Sequence, residues 1–169
     1  TWLRIDGAEE DGLITTLIAA ARLMVEAASG RMLIDQGWRL VMDAWPVDGR
    51  LRLPLAPFRS VLGARVFDAN GVATAVPAEL LALELGSDPP VLAIAGPVPQ
   101  PGRAREGVDV DVIVGFGPSA ADAPAPLKQA ILLLVARWFE NRDDALGPEA
   151  ASLPADVAAL IAPYRRVRL

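Results

Sequence analysis

The spacing of apolar residues changes twice along this chain of 169 residues, and the change limits which folds the chain can form. Residues 9–29 and 127–139 have apolar side chains at every third or fourth position, which is the spacing of one helix face. Between residues 36 and 114 apolar and polar side chains alternate, as in strands with one buried face. The pattern predicts an α+β fold: a helical core, made of a long N-terminal helix and two C-terminal helices, with an inserted small antiparallel β-region.

Three helices are predicted for the core. The first covers residues 9–29, starts at acidic residues that favour a helix N-terminus, and ends at Gly30. The second covers residues 127–139 and follows prolines that suit a first helical turn. A short third helix covers residues 154–162. We expect the first helix to pack against the second and Trp138 to lie in the core between them.

Seven strands are predicted in the β-region. They cover residues 36–43, 50–55, 60–67, 72–76, 80–85, 91–94 and 108–114. The alternation places Trp38 on the buried face of the first strand, and Trp45 is also expected in the core. Pro46 and the Asp48-Gly49 pair suit a turn, so we expect the first two strands to form a hairpin.

The domain organisation follows from these elements. We expect residues 1–163 to form a single domain, with the β-insert at about 36–114 and a C-terminal docking tail at 164–169. A loop at residues 96–107 is rich in Pro and Gly and holds hardly any core-forming side chain. We expect this loop to be mobile in the lone chain.

The tail is the candidate partner-binding site. Its sequence places aromatic and apolar side chains among three guanidinium groups: Tyr164, Arg165, Arg166, Val167, Arg168 and Leu169. Guanidinium groups bind carboxylates through paired hydrogen bonds, and the side chains between them can anchor an extended peptide on a partner. The alternative is a frayed end whose arginines are favoured by the negative pole of the preceding helix.

Catalysis and metal binding are not expected. The sequence has no Cys and no His, so it lacks a thiol nucleophile and the usual ligands of zinc, copper and haem. Two carboxylate clusters, at residues 9–11 and at Asp109 with Asp111, have simpler explanations: a helix N-terminus and the solvent-facing side of a strand. We therefore predict a protein that is not an enzyme, with no catalytic residue, no metal ligand and no cofactor.

Charge and hydropathy limit the partners. The chain carries 16 basic and 21 acidic residues, a net charge of −5, which argues against tight binding of nucleic acid through its phosphates. Unbroken apolar runs such as residues 130–136 are far shorter than the roughly 18 residues that span a bilayer, so no membrane partner is expected. With 53% hydrophobic residues, the chain is expected to fold.

The order and spacing of short motifs resemble a known family, although no single motif is specific. The motifs are Leu3-Arg4-Ile5-Asp6-Gly7, Leu13-Ile14, Gly30-Arg31, Gln36-Gly37-Trp38-Arg39-Leu40, Asp43 with Trp45-Pro46, Leu53-Pro54, Pro57, Ser60-Val61, the runs 112–117 and 126–142, and Ala162-Pro163-Tyr164-Arg165 with Val167. Together they resemble the head-tail connector (adaptor) proteins of the HK97 connector type, found in tailed phages and gene transfer agents. The resemblance covers nearly the whole chain and departs from the family pattern at the start, where a preceding helical segment is usual.

The resemblance implies a structural role. Such adaptors form a ring of identical subunits, usually twelve, between the portal of a DNA-filled head and a stopper or tail-completion protein. DNA passes through the ring without sequence-specific binding, and net negative charge suits a channel that must release it. The resemblance also implies assembly in the bacterial cytoplasm, followed by residence in the neck of a phage or phage-like particle.

Two alternatives stay open on the sequence alone. The chain could be a stopper (head-closure) protein of the same neck, or an unrecognised small-molecule-binding domain built on the β-insert. A ring favours the adaptor, whereas a compact monomer with a concave pocket favours the binding domain.

Overall fold

Helical segments from both ends of the chain come together, and the alternating middle forms sheets. The structure is a computed structural model that describes residues 11–87, 89–140 and 153–165. Backbone contacts divide the chain into a helical unit, from Thr1–Leu33 and Ala121–Leu169, and a sheet unit, Ile34–Ala120. The predicted β-insert at about 36–114 lies inside the sheet unit. The predicted α+β class, with its helical core and antiparallel insert, is confirmed.

The helical unit contains the three predicted helices. They are α1 (Asp11–Ser29), α2 (Ala125–Glu140) and α3 (Ala155–Ile161). α2 packs against both α1 and α3, so the predicted pairing of the first and second helices is confirmed. Their shared core is formed by side chains that are almost fully buried: Ala21, Val25, Leu127, Ala130, Leu134, Val157 and Ile161. Residues 9 and 10 of the predicted first helix lie outside the described residues.

The C-terminus of α1 is closed by a turn that the sequence predicted. Gly30 adopts a positive φ of 69°, and its N–H donates to the carbonyl of Glu26 at 2.9 Å. Glycine takes this left-handed conformation without a Cβ penalty, which is why it commonly ends helices. The buried carboxylate of Glu26 then accepts the backbone N–H of Leu33 at 2.8 Å, so the chain leaving α1 is held against the helix end.

Trp138 does not have the buried position that was expected. It is half-buried, whereas Leu134 and Val135, one turn earlier in α2, are buried. The core contacts of α2 are therefore made by side chains smaller than Trp138. The Trp138 indole, in the last helical turn, is only partly in the core. The expectation that Trp138 fills the main core is wrong.

Seven strands form two antiparallel sheets in the sheet unit. The strands are β1 (Gln36–Met42), β2 (Arg50–Arg52), β3 (Phe58–Phe67), β4 (Ala73–Ala75), β5 (Leu81–Glu84), β6 (Val91–Ile94) and β7 (Val108–Val114). The larger sheet has the order β1-β7-β3-β4, and the smaller one has the order β2-β6-β5. Every pairing is antiparallel among the residues that the structure describes.

The expected hairpin between the first two strands is wrong. β1 pairs with β7 and β2 pairs with β6, so the connection between them passes from one sheet to the other. A tight turn does form, because the N–H of Gly49 donates to the carbonyl of Pro46 at 2.9 Å. Before that turn, however, Trp45 is buried as expected, and its Nε1 donates to the carbonyl of Pro99 at 3.0 Å. This hydrogen bond holds the start of the connection against the loop at residues 96–107.

The core face of the larger sheet is set by β7. Its alternate residues Val108, Val110, Val112 and Val114 are fully buried. Trp38 lies opposite Val112 in the register, yet it is 41% exposed, which corrects the expectation of a core position. β1 is the edge strand of the sheet, so it has a neighbouring strand on one side only.

The loop at residues 96–107 is hydrogen-bonded to other segments of the sheet unit. The N–H of Gly102 donates to the carbonyl of Phe67 at 2.9 Å, and the N–H of Glu106 donates to the carboxylate of Asp43 at 2.8 Å. The guanidinium of Arg103 lies 4.1 Å from the centre of the Phe67 ring, a cation–π contact. The loop therefore has polar anchors although it holds hardly any core-forming side chain, and its mobility in the lone chain stays a prediction.

Candidate functional site

Four charged side chains share the outer face of the larger sheet. In the β1–β7 register Arg39 lies opposite Asp111, and in the β3–β7 register Arg65 lies opposite Asp109. Residues directly opposite each other in antiparallel strands point to the same face, so the two arginines flank the two carboxylates across three adjacent strands. We call these four residues the charge cluster.

The distances in the charge cluster define a network. Arg39 binds Asp111 through two hydrogen bonds, from Nε to Oδ1 at 2.6 Å and from Nη2 to Oδ2 at 3.2 Å. Nη2 of Arg65 lies 3.1 Å from Oδ2 of Asp111 and 3.4 Å from Oδ2 of Asp109. The Asp109 side chain is only 10% exposed. The expectation that both aspartates point into water is therefore wrong, because a carboxylate shielded in this way requires cationic partners.

The hydrogen bonds also shift ionisation. Arg39, by hydrogen bonding and by its charge, holds the pKa of Asp111 below its ordinary value of 3.8, and Arg65 acts in the same direction. The same hydrogen bond raises the pKa of Arg39. Both changes favour the charged forms, so the Arg39–Asp111 pair remains ionised at neutral pH.

Asp111→Asn should reduce the acid sensitivity of the fold. Because the folded-state pKa of Asp111 is lowered, its stabilising effect is complete above about pH 4 and is lost as the pH falls through the lowered pKa. We expect the variant to melt below the wild type at pH 7 and to lose less in Tm on acidification to about pH 3. Each difference should be no more than about 4 °C, the scale of one partly exposed ion pair. Scanning calorimetry at both pH values measures this, and equal acid-induced losses would contradict it.

A groove of about 670 Å³ lies beside the charge cluster. Its lining includes Trp38, Leu62, Ala75 and the backbone of Gly37 and Gly63. A Cβ added at either glycine would meet no atom within 4 Å, so the groove is open above both positions. The charged groups among its described lining residues, Arg39, Arg65 and Asp111, pair with one another. None of these described groups is an unpaired acid or base that could serve in catalysis.

Metal binding has no candidate site in the described ranges. No group of three or more Asp and Glu side chains lies close enough to hold an ion there. The two aspartates that are adjacent on β7 are instead neutralised by arginine. The charge cluster therefore connects β1, β7 and β3, and we infer that it stabilises the larger sheet.

Tyr164, the first residue of the predicted docking tail, is held in the helical unit. Tyr164 lies in a 3-10 turn, Ala162–Tyr164, that follows α3, and its carbonyl accepts a hydrogen bond from Nε of Arg31 at 3.0 Å. Tyr164 is half-buried, so it belongs to the helical unit and does not leave it. Arg165 is exposed and has extended backbone, with φ −64° and ψ 136°. Arg166, Val167, Arg168 and Leu169 lie outside the described residues.

The sequence did not reveal the charge cluster as a unit. Arg39 is out of phase with the apolar residues of β1, and Asp109 and Asp111 are out of phase with the valines of β7. That phase predicts outward-facing charges, but it carries no information on which strand lies beside which. Recognising the cluster required the strand order β1-β7-β3.

Solved structures of gene transfer agent particles contain chains similar to this protein. One, from the virion of a native particle, is 33% identical with a TM-score of 0.83, and the match covers 99% of this chain and 87% of that one. A second, from the neck of an empty particle computed with C6 symmetry, is 33% identical with a TM-score of 0.81, covering 99% and 84%. A third, from the neck of a native particle computed with C12 symmetry, is 33% identical with a TM-score of 0.74, covering 93% and 84%.

Each match covers nearly all of this chain and most of the matched chain. The sequence matches no protein-family profile and no curated protein sequence. This chain has an α+β fold, its charged groups connect strands, and its structural relatives lie in particle necks. It is therefore a structural protein of a particle neck. The chain belongs to the family of head-tail connector proteins of gene transfer agent particles. The resemblance noted from the sequence motifs is thereby confirmed.

Proposed function

We propose that the chain is the head-tail adaptor of its particle. In this role twelve copies, made in the bacterial cytoplasm, form a ring between the portal and the stopper or tail-completion protein, and DNA passes through the ring. The observation that carries the proposal is 33% identity, over 93% of this chain, to a chain in a particle neck with C12 symmetry. Closed rings of identical subunits use one interface repeated around the axis.

The chemistry of the chain supports a structural and not a catalytic role. Asp109 and Asp111 are engaged by Arg39 and Arg65, so neither is available as a general acid or base. The net charge of −5 is consistent with a channel wall that does not retain phosphates. Both points favour transient passage of DNA over sequence-specific binding.

The tail supplies a partner contact in this proposal. Its exposed first residue, Arg165, follows the anchored Tyr164, and two more arginines come next in the sequence. We propose that residues 165–169 dock on the portal or on an adjoining subunit, where guanidinium groups meet carboxylates. A ring repeats such a contact in every subunit, so weak individual contacts can add to strong attachment.

The rival role in the same neck is that of the stopper, and position along the neck axis distinguishes the two. Because the sequence has no Cys, Val47→Cys provides a single labelling site at a fully exposed position. Particles that carry this variant can be labelled with maleimide-gold and imaged. Label next to the head, with about twelve copies per particle, is the expected result for an adaptor. Label at the tail-proximal end would support the stopper, and absence of the labelled chain from necks would contradict the adaptor role.

A further inference from the structure

The side of α1 that faces away from its core contacts is exposed and apolar. The residues concerned recur every three or four positions: Leu13, Thr16, Ala20, Leu23 and Ala27. All five are exposed, and the spacing aligns them along one face over about 21 Å. We call this face the α1 stripe. Its largest side chain, Leu23, is 59% exposed.

The α1 stripe contains no charge and no unsatisfied hydroxyl. Between Leu13 and Ala27 the charged residues are Arg22 and Glu26. The helical period places Arg22 off the stripe, where it is half-buried, and Glu26 is buried. The hydroxyl of Thr16 donates to the carbonyl of Gly12 at 3.0 Å, so it does not require water. Such a surface loses little on dehydration and gains from burial.

α1 alone among the described helices has the length and composition of a membrane-crossing segment. Those criteria are also met by core helices, and α1 buries Ala21 and Val25 and packs against α2. One side of α1 is thus occupied within the helical unit, and the stripe is left exposed among the residues that the structure describes. A helix with one exposed apolar side is suited to contact with one protein surface. A helix surrounded by lipid would expose apolar side chains on all sides.

We propose that the α1 stripe is the surface by which one copy of this chain contacts the next copy in the ring. The inference rests on the proposed ring and adds to it which surface forms the ring. Copies that each carry a net charge of −5 repel one another, so the closest approach is favoured at a surface without charge. The small side chains of Ala20 and Ala27 allow close packing of a neighbouring element. In a cyclic ring the contact is heterologous, so the stripe meets a different surface of the neighbour.

The first test introduces a charge into the stripe. Leu23→Glu keeps good helix propensity at an exposed position, so the subunit should fold with little change in Tm. A charge in the middle of a subunit interface is costly, and we expect the number of tailed particles to fall at least about tenfold. Leu85→Glu is the matched control, because Leu85 is the same residue type with the same 59% exposure, in a turn after β5. Equal yields from both variants would overturn the proposal.

The second test does not depend on how Leu23→Glu folds. Leu23→Cys, the only cysteine of its chain, is coupled to benzophenone maleimide and irradiated in assembled particles. We expect a ladder of covalent multimers of this chain, and mass spectrometry then identifies the reciprocal surface. Cross-links to lipid, to a different protein or within the same copy would each overturn the proposal.

The two proposals fail in different ways. If the gold-labelled Val47→Cys chain is found in the neck but Cys at position 23 does not join copies, the assignment of the α1 stripe is wrong and the adaptor proposal survives. If the labelled chain is not found in necks, the proposed function fails, and the assignment of the stripe fails with it.

Discussion

Leu134→Ala should lower the free energy of unfolding by about 2–5 kcal/mol, the range for removing a fully buried leucine side chain. Leu134 is 1% exposed in the part of α2 that packs in the core of the helical unit. Its loss would leave a cavity among side chains held by α1 and α3, which relax only in part. Chemical denaturation followed by circular dichroism measures the change.

Two further positions in α2 calibrate that result. Leu132→Ala is the same substitution two residues away, at a side chain that is 52% exposed, and should cost less than about 1 kcal/mol. Trp138→Ala should fall between the two, because the indole is half-buried. Similar costs for Leu132 and Leu134 would mean that the assigned core face of α2 is wrong.

Reversal of the tail charges should have the largest effect on assembly. With Arg165, Arg166 and Arg168 replaced together by Glu, we expect tailed particles to fall by at least about a hundredfold, because the lost contact is repeated in every subunit. Folding should be nearly unchanged, since Arg165 is exposed and the fixed residue before it, Tyr164, is retained. Electron microscopy of heads and tailed particles provides the counts, and thermal melting of the purified chain provides the folding control.

A lysine version of the tail separates charge from geometry. The triple Arg→Lys variant keeps all three positive charges but lacks the planar fork that binds a carboxylate with two hydrogen bonds. We expect an intermediate yield of tailed particles. A normal yield from the glutamate version would show that the tail does not dock.

Local periodicity explains why most elements could be predicted. The helical spacing before Gly30 and the alternation in β7 depend only on neighbouring residues, and both elements have the predicted type and nearly the predicted bounds. Strand partners depend on contacts distant in sequence, which is why the hairpin between β1 and β2 was wrongly expected. Trp38 was misplaced for a related reason, because the alternation does not reveal that β1 is an edge strand.

The candidate sites were likewise predictable where they depend on local sequence and not where they depend on contacts distant in sequence. The phase of Asp109 and Asp111 predicted their face of the sheet, but their arginine partners lie on two other strands and depend on the strand order. Tyr164 was assigned to the tail because the third helix was predicted to end at residue 162. Pro163 lies in the first positions of the 3-10 turn, where its missing N–H leaves no hydrogen bond unmade. Arg31 binds the carbonyl of Tyr164, so one more residue remains in the helical unit. The class of protein was predictable because the resemblance depends on the order of many motifs and not on any one contact.

The hydrogen bond from Arg31 to the carbonyl of Tyr164 determines where the tail starts. It ties the residue before the tail to the segment that follows α1, so the origin of the tail is defined by the helical unit and not by the tail itself. In the proposed ring, twelve such origins would lie at one radius and one height, related by rotation alone. A partner would then meet twelve tails that start at equal spacing around the ring. Each tail would reach only the part of the partner next to its own subunit.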